Sequence, residues 1–287
     1  MTTAVAAPRA SRRRRSWRPQ TPVASAVRLV LFLMYGIPII WILTTSLKRP
    51  GDVLSRDAAF FFTPTLDAYT AVLANGNLLG AGLQSLTIAL STTVLTLVLA
   101  IPAAYFLARA EGLWSTLLLA GLIVLQIMPQ TSMVIPLFQV FGEWRILDQT
   151  IAVILADTAL LTPFAILLLR PFFRSVPDTL EEAASIDGAS TWRTFRSVLV
   201  PLVSNGIATT GTLVFLISWG EFLYAVNFFL SPNNYPLSAL LAQQVSAYGI
   251  NWPGLMALAV ITSIPILVLF TFTYRFLKEG LTLGAVK

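Results

Sequence analysis

Two acids interrupt the most apolar parts of this 287-residue chain: Asp157, inside LADTALL, and Glu221, inside WGEFLYA. An unpartnered carboxyl group in hydrocarbon costs about 2.5–3.5 kcal/mol on insertion scales, so each must face a bundle interior, water or a neighbouring polar group. The hydroxyls of a polar solute are good partners for carboxylates. Trp219 and Tyr224, close to Glu221, could add a stacking face and a phenolic hydroxyl to a substrate path. The structural alternative is an interhelical hydrogen bond, such as Asp157 with a Ser or Thr on another helix, worth about 1–2 kcal/mol at most. Both readings stand for Glu221, and the structural one is favoured for Asp157. Paired aspartyl chemistry would need the two acids on facing spans at one depth, whereas the sequence puts Asp157 in the middle of a span and Glu221 toward the edge of another. That argues against an intramembrane carboxylate enzyme. A proton-coupled secondary transporter, which also needs acids in the membrane, stays open.

Little other chemistry is available. The chain has no Cys and no His, which removes disulfides, thiolate nucleophiles, imidazole bases and the usual zinc ligand sets. No Lys follows a Gly, so there is no G-x-x-x-x-G-K-[ST] loop and no ATP hydrolysis of that kind by this polypeptide. The expectation is a chain without a cofactor or metal of its own.

The elements that must position these residues are membrane helices. With 56% hydrophobic residues, a mean hydropathy of +0.77 and only 11% charged residues, the chain reads as an all-α polytopic membrane protein. Apolar stretches of about 20 residues, the length that crosses the hydrocarbon, fall near 28–47, 84–107, 114–135, 151–170, 202–224 and 253–276. With the N-terminus inside, 15 of the 19 Lys and Arg residues lie on the cytoplasmic side, and Lys48, Arg49, Arg56 and Arg145 lie outside. Because basic residues stay preferentially inside, both termini are expected in the cytoplasm. Residues 1–27 form a basic tail, expected to be disordered, in which SRRRRSWR reads as a topology signal and lipid contact rather than a nucleic-acid site. Residues 28–276 form the six-span domain, and 277–287 a cytoplasmic tail. The first outer loop, about 48–83, is long enough for a small structure of its own. Trp114, Trp144 and Trp252 sit near span ends, where an indole is comfortable at the headgroups.

One polar block, within 171–201 between spans four and five, breaks the apolar pattern. Pro177 and the acids Asp178, Glu181 and Glu182 suit a helix start, and Gly188 suits its end, since glycine enters the left-handed conformation cheaply. Ser190 would cap a second helix whose Trp192, Phe195 and Leu199 share one face. Ala183 and Ala184 would let another surface approach the first helix closely, while Glu182 offers a charge.

Glu182-Ala183-Ala184, three residues, Gly188, nine residues, then Val198-x-Val200-Pro201 resembles the EAA motif of permease subunits in bacterial ATP-binding cassette importers. Val198 and Val200 replace the family's Ile and Leu. VPDTLEEAASIDGAS, WGEFLYA and the terminal GLTLGAVK resemble the carbohydrate branch, in particular the second permease subunit of maltose-type importers. The resemblance implies that Glu181, Glu182, Ala183, Ala184, Asp187 and Gly188 belong to a coupling helix that seats in a separate ATPase, and that Gly284, Ala285, Val286 and Lys287 also reach it. It further implies a homologous permease as heterodimer partner, two ATPase subunits that hold the ATP and Mg, an extracytoplasmic solute-binding protein and a carbohydrate substrate.

Overall fold

The computed structural model describes residues 22–55, 61–74, 77–246 and 249–283. The chain falls into two units, Met1–Trp41 and Ile42–Lys287. The first contains most of helix α1 (Pro22–Ser46), which opens on a proline, a residue whose missing N–H is harmless in a first turn. The helix thus begins six residues ahead of the expected span start at 28. The arginine-rich run lies outside the described residues.

The second unit follows in chain order with α2 (Asp67–Ala74), α3 (Leu78–Arg109), α4 (Gly112–Ile127), α5 (Gln130–Glu143), α6 (Thr150–Arg174) and α7 (Thr179–Ile186). Next come α8 (Thr191–Thr194), a π-helical turn (Phe195–Leu199), α9 (Val200–Leu202), α10 (Ser204–Trp219), α11 (Leu223–Phe228) and α12 (Leu237–Leu240). A small antiparallel pair, β1 (Val245–Ser246) and β2 (Gly249–Ile250), sets Val245 opposite Ile250 ahead of α13 (Trp252–Leu283).

By length and composition α1, α3, α6 and α13 can each cross a membrane, and two bent pairs raise the count to six if each is one span. One bend corrects the expectation of a continuous third span, which is broken by 92° between α4 and α5. Pro129 forces Met128 into extended backbone (φ −64°, ψ 128°), as a residue before proline prefers, whereas Pro136 is absorbed inside α5. A second bend of 74°, between α8–α9 and α10, falls at the start of the expected fifth span, and α10 stops at Trp219 instead of running on to 224. Glu221 therefore sits in a turn.

The core is built on α3 and α6. Ala100, Ala104 and Ala108 of α3 share a buried cluster with Leu161, Ala165 and Leu169 of α6, and small residues at such a seam let helix backbones approach. Polar ties fix the register at both ends: Gln84 Nε2 donates to Thr150 Oγ1 at 2.7 Å, and Arg170 Nε donates to the Leu107 carbonyl at 3.0 Å. Helix α10 closes on the same pair. A Cβ at Gly206 would stand 2.5 Å from Cγ of Phe172, so only glycine fits there. Within 48–83 the described residues include α2, which buries Val72, and the Tyr69 hydroxyl hydrogen-bonds with that of Ser46 at 2.8 Å.

Candidate functional site

The polar block folds as its residue types dictate. Helix α7 ends in a paired-carbonyl cap: the Gly188 N–H donates to the Ser185 carbonyl at 3.0 Å, the Ala189 N–H to Ala184 at 2.9 Å, and Gly188 takes φ +79°. Ser190 Oγ then accepts from the Arg193 N–H at 3.3 Å and opens α8. Phe195 and Leu199 are buried, whereas Trp192 is 65% exposed, its ring tilted against Phe195 at a centroid distance of 5.5 Å. A π-helical turn follows at Phe195–Leu199.

On α7 the expected coupling residues separate onto two faces. Glu182, Ala183, Asp187 and Gly188 are exposed, Ala184 is half-buried, and none of the eight helix residues is buried. Ile186, four residues after Glu182 and so on the same face, is 86% exposed, a large apolar side chain displayed from a polar helix. The sequence reading passed over it; an isoleucine inside EEAASIDG, between acids with no apolar helix neighbour, is the signal that could have found it. Glu181 points the other way. Its Oε1 accepts from Arg109 Nε at 2.6 Å and pairs with Nη2 at the same distance, and its Oε2 accepts from the Tyr105 hydroxyl at 2.8 Å. Arg109 also reaches Asp178 Oδ1 at 3.1 Å and donates to the Val176 carbonyl at 3.0 Å. Behind this cluster the Tyr105 ring packs on Phe173 and Phe195, at centroid distances of 5.8 and 5.2 Å. The other contact site expected from the sequence, Gly284 to Lys287, lies outside the described residues.

The membrane acids are brought together, against the expectation that their depths keep them apart. Asp157 is 1% exposed on α6 and accepts from Ser218 Oγ of α10 at 2.7 Å. Because α10 stops at Trp219 and the chain turns, Glu221 folds back beside Asp157, close enough for the two carboxyls to interact. Glu221 also accepts from Gln130 Nε2 at the start of α5, at 2.8 Å, and from the Tyr224 N–H at the start of α11. Its carbonyl takes the Ser238 hydroxyl. One carboxyl cluster thus joins α5, α6, α10 and α11. Trp219 and Tyr224 do not present an open sugar platform in this conformation. Both are buried; Trp219 stacks on Phe215 and donates its indole N–H to the Thr262 carbonyl, and Tyr224 stacks on Phe228. Tyr224 borders a 190 Å³ cavity beneath the α4–α5 bend, which it shares with Met128, Met133 and Leu137. Among the described residues, no three acids gather in a way that could hold a metal ion.

A second polar knot sits at the opposite end of the bundle from α7. Asp148, in the left-handed region at φ +63°, accepts from the N–H groups of Leu230 and Ser231 at 2.9 and 3.0 Å. It also accepts from the Ser231 hydroxyl at 2.7 Å and Asn234 Nδ2 at 3.2 Å. The Ser231 hydroxyl and N–H, helped by Asn234 and Leu230, hold its carboxyl down at about 2. This pins the α5–α6 connection to the loop after α11.

The fold thus combines long apolar helices packed on a seam of small residues, two bent helix pairs and an exposed short helix between α6 and α10. Residues 97–282 match the family of binding-protein-dependent transport system inner membrane components, and the chain belongs to that family. It is 32% identical over 273 residues to the sulfoquinovosyl glycerol transport system permease SmoH of Agrobacterium fabrum, covering 95% of both chains. It is also 32% identical to the trehalose transport system permease SugB of Mycobacterium tuberculosis, over 88% of this chain and 92% of that one. In fold it resembles a bacterial ABC transporter involved in the import of alginate, with a TM-score of 0.73, 21% identity and coverage of 88% of this chain and 95% of that one. A second similar structure, an alginate ABC transporter in complex with a pentasaccharide-bound periplasmic protein, gives a TM-score of 0.65 at 13% identity over 88% and 91% of the two chains. The relatives are transport subunits, so the carboxylate-enzyme reading falls away even though Asp157 and Glu221 meet.

Proposed function

We propose that this chain is the permease subunit of an ATP-driven importer for a sugar or sugar-like solute and forms half of the translocation path with a homologous permease. The observation that carries the proposal is the exposed face of α7, where Glu182, Ala183 and Ile186 stand free of the rest of the chain. A polar helix with exposed apolar side chains at Ile186 and Leu180 and a small residue at Ala183 suits insertion into a groove of another protein. In this reading each bent pair is one span of six, both termini and α7 are cytoplasmic, and ATP and Mg are held by two ATPase subunits seated on α7. The charge bias supports that direction, since Arg170, Arg174, Arg193 and Arg196 all flank α7. At the other face, the Asp148 knot and α2 offer ordered loops to an extracytoplasmic solute-binding protein. The solute class rests on relatives that transport sulfoquinovosyl glycerol, trehalose and diacetylchitobiose.

The reading predicts that the permease pair, purified from membranes, retains an ATPase whose hydrolysis rises when loaded binding protein is added. Uptake that follows the proton gradient with ATP removed would instead make this a secondary transporter.

A further inference from the structure

Helix α7 poses a mechanical problem. It is eight residues long and buries none of them, so hydrophobic packing does not fix it to the bundle. If force enters through its exposed face, something must keep the helix from tilting on its own. Glu181 supplies that restraint. Both of its carboxylate oxygens are engaged by α3, Oε1 by the Arg109 guanidinium at 2.6 Å and Oε2 by the Tyr105 hydroxyl at 2.8 Å. Arg109 and Glu181 side chains are only 21% and 22% exposed, which shields the contact from the screening that makes open surface pairs weak. The same guanidinium reaches Asp178 and the Val176 carbonyl in the segment leading into α7, so one cation holds both the helix and its approach.

We propose that Arg109, Tyr105 and Glu181 form a positioning clamp that makes α7 move as one body with the end of α3, so that displacement of α7 is delivered to the α3–α6 pair. This rests on the reading of α7 as the ATPase-facing helix and reassigns Glu181 from docking contact to internal anchor. Geometry favours α3 as the receiver. Arg109 is its last helical residue, it is locked to α6 at both ends by the Gln84–Thr150 and Arg170–Leu107 bonds, and Pro102 within it marks a place where it can flex. Tyr105 ties the clamp to the core because its ring lies on Phe173 of α6 and Phe195 beyond α8.

The test uses the assembled transporter with Tyr105→Phe and Arg109→Gln, which leave the exposed face of α7 untouched. Tyr105→Phe keeps the ring packing and removes one hydrogen bond to the carboxylate. The ATPase should still be captured with undiminished affinity, while solute carried per ATP hydrolysed falls. The fall is roughly tenfold for Arg109→Gln, the factor that corresponds to a loss of about 1.4 kcal/mol. Spin labels on α7 and at the end of α3 should show a broadened distance distribution in Glu181→Gln, a readout that needs no ATPase. An unchanged ratio of solute to ATP in both α3 variants overturns the clamp, and so does an unbroadened distribution in Glu181→Gln. If changes on the exposed face of α7 fail to weaken ATPase capture, the docking reading fails, and the distance distribution alone still decides whether the clamp exists.

Discussion

The side chain at position 186 offers the sharpest perturbation. Ile186 is 86% exposed and sits on a helix with no buried residue, so Ile186→Asn removes nothing that the chain uses to fold. If the residue enters an ATPase groove, docking removes most of that side chain from water. Burying an isoleucine is worth about 1.5–3 kcal/mol, and each 1.4 kcal/mol is a factor of ten in affinity. Ile186→Asn should therefore weaken ATPase capture by roughly 10- to 100-fold, since the amide must also be desolvated on docking. Membrane abundance and thermal midpoint should match the parent. The assay is titration of purified ATPase onto the permease pair in nanodiscs, with solute uptake followed in parallel. Unchanged affinity, or loss of the permease from the membrane, refutes the reasoning.

Other sites give independent checks. Gly206→Ala puts a methyl group into the Phe172 ring and should destabilise the helix packing by about 1–3 kcal/mol, read as a lower thermal midpoint that Phe172→Leu partly restores. Glu221→Gln places an NH2 group where the carboxylate now meets donors on both oxygens, so it should lower abundance and stability by about 1–3 kcal/mol; parental abundance with a shifted apparent solute affinity would return Glu221 to the substrate path. The Asp148 carboxyl is held at about 2, below its usual 3.8, so its contribution to the knot is fully present above about pH 4 and is lost as the pH falls through about 2. Amide exchange at Leu230 and Ser231 should stay slow from pH 7 to about 4, accelerate only below that, and be fast throughout in Asp148→Ala.

Much of the architecture was legible because membrane helices announce themselves locally. The stop at Gly188 and the cap at Ser190 each depend on a few adjacent residues, and each stands where the residue types place it. The bends were less legible. Pro129 separates α4 from α5 while Pro136 lies inside α5, although both are prolines in the same apolar stretch. Hidden altogether were the pairings across the chain. Arg109 meets Glu181 over 72 positions, and Asp157 meets Glu221 only because α10 ends two residues early enough for the chain to fold back. The motif resemblance located α7 but could not divide its two adjacent glutamates, since a rotation of about 100° per residue sends Glu181 inward and Glu182 outward.

The central claim is that α7 transmits work from an ATPase on the cytoplasmic side. With no native cysteine in the sequence, Ile186→Cys gives a single reactive thiol. The account predicts that this thiol is labelled only from the cytoplasmic face, cross-links to the ATPase in the assembled transporter, and changes its cross-linking yield between nucleotide-free and ATP-bound states. Labelling from the outside, or no ATPase adduct in an otherwise active complex, would contradict it.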